Sequence, residues 1–322
     1  MTIKITGTGS ALPPKIVTND DLAKIVDTSD EWIRERTGIC ERRISTGQTT
    51  TDLAVEAARK ALEQAGKDPK EVELIIVATV SGDWALPCSA CQVQAALGAD
   101  NATAFDINAA CSGFLFGLNI VNAYISSGAY KNALVIGAET LSKILDWTDR
   151  GTCILFGDGA GAAFVEAREG EGVLGFVQGS AGADGEALQC KNRELSNIFV
   201  KPEEEKLSYV EMDGQAVYRF ACMTVSKVIK QAIEKAGIKT EDVDLFVLHQ
   251  ANIRIVESIA KRLHMPMEKF PYNLDKRGNI SAASIPILLD ELNRSGKLKR
   301  GDKIVLSGFG AGLTYGATVM VW

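Results

Sequence analysis

Apolar positions along the 322-residue chain switch repeatedly between two periods, one near two residues and one near 3.6. Strand-like stretches are residues 3–9, which alternate, and the apolar runs 73–80, 102–107 and 133–138. The run 102–107 predicts a short buried strand. Helix-like stretches are 51–65, 89–97 and 114–126. In the first, Leu53, Ala57, Ala61 and Leu62 share a face and Gly66 is the stop; in the last, Phe114, Leu118, Val121 and Ile125 share a face and Gly128 follows. Asn19 and Ser29 read as N-caps of two short helices, the second over 30–37 with Gly38 as its stop. Helices alternating with apolar strands predict an α/β protein with a mainly parallel, doubly covered sheet.

The pattern also repeats. Ala61-Leu-Glu-Gln-Ala-Gly66 returns as Ala232-Ile-Glu-Lys-Ala-Gly237, an offset of 171 (232 − 61). At the same offset Val72-Glu-Leu-Ile-Ile-Val77 becomes Val243-Asp-Leu-Phe-Val-Leu248, and Leu134-Val-Ile-Gly137 becomes Val305-Leu-Ser-Gly308. Asn108 falls on Asn279. One offset across separate segments is the signature of duplication. It predicts two similar halves, 1–170 and 171–322, packed as layers. The polar or Gly-rich stretches 143–160 and 181–215 break the repeat and read as insertions, where binding loops usually lie.

Candidate chemistry centres on Asp106-Ile-Asn-Ala-Ala-Cys-Ser-Gly-Phe114. Cys111 falls where a strand gives way to a helix, among small residues that keep the sulfur approachable. A thiol at a helix N-terminus feels unpaired N–H groups and the positive end of the dipole, which favour thiolate. A buried structural cysteine fits this stretch equally well. The repeat separates the roles: Cys111 maps onto Ala282, while His249 maps onto Ala78. His249 ends an apolar strand, where ligands of parallel α/β sheets sit, and Asn279 opens a helix in the same half. His264, before Met265-Pro266, reads as structural. Trp32 and Arg36, taken alone, read as a partly buried aromatic and a solvated cation.

Two Gly-rich stretches complete the inventory. Ser307-Gly-Phe-Gly-Ala-Gly-Leu-Thr314 follows a strand without preceding a helix, so it fails the context for dinucleotide binding. A tight loop there exposes a backbone N–H suited to an oxyanion. Phe156-Gly-Asp-Gly-Ala-Gly161 reads as a turn entering a strand over 162–166. Cys88-Ser-Ala-Cys91 has redox or metal spacing, yet no second pair and no nearby histidine, so no metal is expected.

The remaining bounds come from composition. Length favours two domains or a duplicated unit. With 46% hydrophobic and 24% charged residues the chain reads as an ordinary globular protein. A formal charge of −6 argues against nucleic acid as the main partner. The N-terminal residues lack a signal-peptide layout, and no apolar run reaches the length of a bilayer span. Seven cysteines, an odd number, suggest free thiols in a reducing compartment, hence a cytoplasmic location.

Taken together, the motifs resemble the β-ketoacyl-acyl-carrier-protein synthase III family of thiolase-like condensing enzymes. The matching residues are Thr28-Ser-Asp-Glu-Trp32 with Arg36-Thr-Gly38, Asn108-Ala-Ala-Cys-Ser-Gly113, and Asp149-Arg-Gly-Thr152 with Phe156-Gly-Asp-Gly-Ala-Gly161. His249-Gln-Ala-Asn252, Gly278-Asn-Ile-Ser281 and Phe309-Gly-Ala-Gly312 complete the set. The resemblance covers essentially the whole chain. It implies a duplicated thiolase-like α/β fold, layered α-β-α-β-α with two similar mixed sheets, and an obligate homodimer. It implies acyl-CoA and malonyl-acyl-carrier protein as substrates, with no bound cofactor or metal.

By position the resemblance makes Cys111 the acylated nucleophile of a ping-pong condensation, with His249 and Asn279 holding the malonyl thioester oxygen during decarboxylation. The backbone N–H groups of Cys111 and Ala311 would form the oxyanion hole. Trp32 and Arg150 would sandwich the adenine of coenzyme A. Thr28, Arg36, Gly151, Phe156, Gly214, Tyr218 and Asn252 would line the rest of the coenzyme A path. Arg254, Lys261 and Arg262, near one helix face with Ser258, would dock the acidic carrier protein. Leu86, where acetyl-selective members carry Phe, would close the partner's primer pocket and admit longer or branched primers. Ala311 stands where Gly is common, and Tyr218 where Phe is. The neighbouring readings are a synthase priming polyketide or another acyl condensation, and a non-catalytic acyl-CoA-binding paralogue.

Overall fold

A computed structural model describes residues 1–170, 172–192, 194–200 and 208–322. The framework strands are β1 (Thr2–Ala11), β2 (Leu74–Ala78), β3 (Thr103–Ile107), β4 (Asn132–Thr140), β5 (Asp158–Arg168), β6 (Val173–Ser180), β7 (Leu245–Leu248), β8 (Lys303–Gly310) and β9 (Thr314–Val321). The framework helices are α1 (Asp30–Thr37), α2 (Thr50–Ala65), α3 (Ser89–Leu97), α4 (Gly113–Ser126), α5 (Gly214–Lys235), α6 (Ile253–Leu263) and α7 (Ser284–Arg294). Shorter elements are given by residue range.

Local chemistry sets the helix ends. Thr49 and Asp52 form a capping box at the start of α2, and Gly66 closes it at φ 66°. Ser29 caps α1 by accepting from Trp32 N, and Gly38 ends it at φ 80°. Asn19, however, is not a cap. Thr18 caps the one-turn helix Asn19–Leu22, with Asp21 completing the box. Asn19 is buried instead, where it donates to Asp30 and the Ile39 carbonyl and accepts from Arg42.

The strands form two mixed sheets, ordered β1-β5-β4-β2-β3 and β7-β8-β9-β6. Only β4, β2 and β3 run parallel in the first, and only β7 and β8 in the second. The expected mainly parallel sheet is therefore corrected to a mixed one: β5 and β9 turn back against their neighbours. Helices α4 and α7 lie between the sheets in one apolar cluster with Ile3, Ile76, Val247 and Leu306. Helices α2 and α3 cover the outer face of the first sheet, and α5 and α6 that of the second. Five layers, α-β-α-β-α, result.

Element starts recur at the offset of 171: Thr2 and Val173, Leu74 and Leu245, Asn132 and Lys303, Gly113 and Ser284. The starts of α2 and α5 (Thr50, Gly214) and of α3 and α6 (Ser89, Ile253) stand 164 apart (214 − 50, 253 − 89), those of β5 and β9 (Asp158, Thr314) 156 apart (314 − 158), and β3 has no strand as its counterpart. Its counterpart is the one-turn helix Leu274–Arg277, which leaves the second sheet one strand shorter.

Two further expectations change. β3 is an edge strand with only β2 beside it, and its residues are exposed or half-buried rather than buried. β5 begins at Asp158, not at 162, so the glycines after Phe156 lie within a strand. A Cβ at Gly161 would meet Pro286 and the Ile287 N, so close packing on α7, not turn geometry, explains that glycine. Of the stretch 181–215, residues 193 and 201–207 lie outside the described residues. Among the described residues, no helix is long and apolar enough to cross a membrane.

Candidate active site

The nucleophile candidate sits in a single 3-10 turn, Ala110–Ser112, between β3 and α4. Asn108 Oδ1 accepts from Ala110 N at 3.2 Å, and Ala110 takes φ 46°. The other half repeats this turn at Ser281–Ala283, where Asn279 Oδ1 accepts from Ser281 N at 2.8 Å and Ser281 takes φ 43°. Left-handed backbone at a residue with a Cβ costs free energy, and it persists only where the surroundings enforce it. Here they do. A Cβ at Gly310, on β8, would lie 2.5 Å from Cys111 N, and one at Gly113 would lie 3.4 Å from Ala282 Cβ. The two turns thus pack against each other and against the strand that precedes Ala311.

His249 follows the last residue of β7, with its N–H on the Ser307 carbonyl at 2.8 Å and its ring edge-on to Phe309 at 5.5 Å. It is buried, and its Nδ1 has no partner among the described residues. Burial pushes its pKa down to about 3, so the imidazole is neutral at ordinary pH. Asn279 is fixed through its backbone: its N–H donates to Leu155 O at 2.8 Å, and its carbonyl accepts from Gly157 N at 2.9 Å. This bridge holds Phe156 beside it. With Oδ1 engaged, the NH2 end of the Asn279 amide is the one left to a ligand.

Cys111 itself departs from expectation. Burial pushes the thiol up to about 12, a Ser281 hydrogen bond opposes the shift, and the Glu139 carboxylate adds to it. The resting group is a thiol, because desolvation outweighs what a helix N-terminus offers.

Ala311 opens the turn Ala311–Leu313 that joins β8 to β9. Its φ is not positive; Gly312 carries that burden at φ 132°. A backbone donor at this position therefore does not require glycine. Thr314 Oγ1 donates to Ala109 O at 2.8 Å, tying this loop to the cysteine turn.

A cavity of about 1230 Å³ reaches Cys111, Ser281, Ala311 and Phe156, and is walled by residues 79–85 and 188–192. Leu86 is not in its lining and is 84% exposed, although Trp84 and Ala85 are part of the wall. The other coenzyme A candidates lie outside this cavity. Trp32 is flanked by the guanidinium groups of Arg36 and Arg150 at 4.6 and 4.7 Å from the ring centre. Thr28 Oγ1 is buried without a partner among the described residues, an orphaned polar atom in the same α1 region. Asn252 is already engaged: Oδ1 caps α6 through Arg254 N, and Nδ2 donates to Arg36 O, both at 2.9 Å. Gly151 N is held by Asp149 Oδ1 at 2.8 Å, Gly214 opens α5, and Tyr218 lies 6.0 Å below the Arg254 guanidinium. Arg254, Lys261 and Arg262 are exposed on α6, interrupted by exposed Glu257.

Sequence reasoning missed Glu139, Ser281 and Gly310 as parts of this site. The signal was present, since Ser281 and Gly310 stand 171 residues after Ala110 and Glu139. Among the described residues, no His, Cys, Asp or Glu cluster of three or more could hold a metal ion. His264 ends α6 in a left-handed C-cap and is exposed, as a structural reading requires.

Two copies of one α/β unit, stacked in five layers around a buried cysteine turn, define the thiolase-like class. Comparison with known proteins narrows this. Models of the 3-oxoacyl-[acyl-carrier-protein] synthase III family match residues 105–182, and those of its C-terminal part match 233–322. A β-ketoacyl-[acyl-carrier-protein] synthase III of Clostridium acetobutylicum is 50% identical over 99% of this chain and 98% of its own length. The crystal structure of 3-oxoacyl-[acyl-carrier-protein] synthase III from Aquifex aeolicus VF5 superposes with a TM-score of 0.94 at 46% identity, covering 99% of this chain and 100% of that one. The priming β-ketosynthase of the R1128 polyketide pathway gives 0.94 at 36% identity, covering 99% and 96%. The chain belongs to the β-ketoacyl-acyl-carrier-protein synthase III family.

Proposed function

We propose that the chain catalyses the decarboxylating condensation that begins type II fatty acid synthesis. An acyl-CoA primer and malonyl-acyl-carrier protein give β-ketoacyl-acyl-carrier protein, CoA and CO2. Cys111, from the half 1–170, takes the acyl group, and the N–H groups of Cys111 and Ala311 stabilise the tetrahedral oxyanion. His249 and Asn279, from the half 171–322, donate to the malonyl thioester oxygen as loss of CO2 turns it into an enolate. The resulting carbanion attacks acyl-Cys111. Two neutral donors suit this step, because they stabilise developing negative charge without first pairing with the substrate carboxylate. The observation that carries the reading is the face-to-face packing of the Ala110–Ser112 and Ser281–Ala283 turns, with neutral His249 beside the strand that touches Cys111 N.

Trp32 and Arg150 stack the adenine. Thr28, Arg36, Gly151, Phe156, Gly214, Tyr218 and Asn252 line the remainder of the coenzyme A path, and Arg254, Lys261 and Arg262 dock the carrier protein. The orphaned Thr28 hydroxyl and the guanidinium groups over Trp32 support the adenine site. A homodimer joins two chains along β3, with Leu86 reaching into the partner's primer pocket. The open edge of β3 and the exposure of Trp84 and Leu86, at 67% and 84%, support that interface. The reaction needs no metal or bound cofactor and takes place in the cytoplasm.

Intact-mass measurement after incubation with acyl-CoA tests the assignment. Wild type gains one acyl group on Cys111, and Cys111→Ser gains none. Asn279→Ala still acylates but fails to decarboxylate malonyl-carrier protein. Loss of acylation with decarboxylation retained in Asn279→Ala overturns the division of labour.

A further inference from the structure

Arg42 lies in the short strand Glu41–Arg43, paired antiparallel with Ile16–Thr18, and no step above uses it. It is fully buried. Its guanidinium meets neutral oxygens: Nη1 donates to Asn19 Oδ1 at 2.8 Å and to Val17 O at 3.3 Å, and Nη2 donates to Ile154 O at 2.7 Å. Nε has no partner among the described residues. Burial pulls its pKa down to about 10, so it remains a cation at ordinary pH. A buried charge held by neutral oxygens is costly, and apolar side chains of similar volume often fill such places at least as stably. What an apolar side chain lacks is a planar fork that ties two separate segments at once.

The segment held by Nη2 leads into the candidate site. Ile154 follows the one-turn helix Arg150–Cys153 and is buried in a cluster with Leu22, Ile33, Ile39 and Leu274. Next along the chain, Leu155 O accepts from Asn279 N at 2.8 Å, and Gly157 N donates to Asn279 O at 2.9 Å. These two bonds fix the Asn279 backbone. The stem of Arg42 packs against the same bridge, since a Cβ at Gly157 or at Gly278 would each lie 3.3 Å from Arg42 Cβ. Gly278, at φ 66°, leaves no room for a side chain there: its added Cβ would also stand 2.9 Å from Leu155 O. Arg42 thus borders both sides of the bridge. The other arm of the fork is anchored away from it, on Asn19, whose Nδ2 donates to Asp30 Oδ1 at 2.9 Å and to the Ile39 carbonyl at 2.8 Å.

We propose that Arg42 is a positioning residue for Asn279, acting through the Ile154 carbonyl and the bridge that follows it. This rests on the reading of Asn279 as a donor to the malonyl thioester oxygen. Without the guanidinium, the Ile154 carbonyl is left without its donor in an apolar cluster, which costs free energy until the backbone turns it toward another partner. The next carbonyl along is Leu155 O, so the bridge and the Asn279 amide move with it. Cys111 is placed by its own turn and by Gly310, so its acylation is spared.

The test measures two partial reactions at saturating substrate: Cys111 acylation by acyl-CoA, and decarboxylation of malonyl-carrier protein. The variants are Arg42→Met, Arg42→Lys and Asn279→Ala. Arg42→Met keeps an apolar stem and removes the donors. It should slow decarboxylation by about 10²-fold, as expected for a shift of about 1 Å, and leave the acylation rate unchanged. Arg42→Lys keeps the charge but has no fork to hold both segments, so it should show the same selective loss to a smaller degree. Equal loss in the two partial reactions marks a general role in stability and overturns the proposal. Wild-type decarboxylation in Arg42→Lys overturns it even if Arg42→Met does not fold. Wild-type decarboxylation in Asn279→Ala overturns the parent reading instead.

Discussion

Replacing Gly310 by alanine tests how tightly the proposed nucleophile, Cys111, is held. Gly310 is extended, at φ −165°, so alanine suits the backbone and any effect is steric. The added methyl would stand 2.5 Å from Cys111 N, 3.0 Å from Cys111 Cβ and 3.1 Å from Ala110 Cβ. Ordinary carbon contacts lie at about 3.5–4.0 Å, so the cysteine turn must retreat by about 1 Å. It cannot do so by a small rotation, because Ala110 is already left-handed and its N–H is tied to Asn108. Overpacking of this kind costs about 1–3 kcal/mol, which for a chain of this size lowers Tm by roughly 2–10 °C. On the proposed roles of Cys111 and its N–H, a displacement of about 1 Å costs about 10²-fold in rate.

The assay is a rapid CoA-release burst with acyl-CoA, alongside differential scanning fluorimetry. Gly182→Ala is the comparator, since nothing lies within 4 Å of its added Cβ. Gly310→Ala should lose both the burst rate and Tm, and Gly182→Ala neither. A Gly310→Ala protein with wild-type burst and Tm would refute the packing argument. A lowered Tm with a normal burst would show that the turn can move without taking the reacting atoms with it.

Arg254→Glu should raise KM for malonyl-carrier protein several-fold more than KM for acyl-CoA, and added salt should weaken the carrier step more than the CoA step; equal effects count against docking on α6. Leu86→Phe should lower kcat/KM for isobutyryl- and isovaleryl-CoA relative to acetyl-CoA by about 10–200-fold, since each buried methylene is worth roughly 0.8 kcal/mol; an unmoved ratio removes Leu86 from the primer pocket.

Much of the framework was legible because periodicity and caps are local. Helix α3 begins and ends as its apolar pattern indicates, and α2 begins one residue earlier at Thr50, behind its capping box. The failures have non-local causes. Thr18 and Asn19 are both cap-type residues, and Asp21, three residues beyond Thr18, was the deciding signal. The apolar run of β3 could not reveal that only one neighbour would pair with it. The glycines of β5 carry no strand propensity; tertiary contact with Pro286 and Ile287 makes them a strand. Cys111, His249 and Asn279 stood out as candidates through motif and repeat. The burial that governs Cys111 and Glu139 was not legible, since the Glu139 carboxylate depends on hydroxyls some sixty residues away.

The duplication explains how one scaffold carries an asymmetric site. Both halves build the same strained turn, at φ 46° and 43°, and pay its cost through the same asparagine hydrogen bond. The side chains on that common geometry then differ at corresponding positions: Cys111 against Ala282, Ala110 against Ser281, Glu139 against Gly310, Ala78 against His249. Around the thiol the groups are small: Ala110 from the first half and Gly310 from the second carry no side chain beyond a methyl. Around the opposing turn polar groups take the same places: Ser281 lines the cavity that Cys111 also lines, and Glu139 is held by Thr79, Val80 and Ser81. At the two turn pairs, Cys111 against Ala282 and Ala110 against Ser281, the exchange changes chemistry without asking the backbone for a new conformation, because each turn already tolerates a Cβ at its left-handed residue. The same reasoning accounts for the candidate site lying where the two turns pack against each other, since there Cys111 and Ser281 line one cavity.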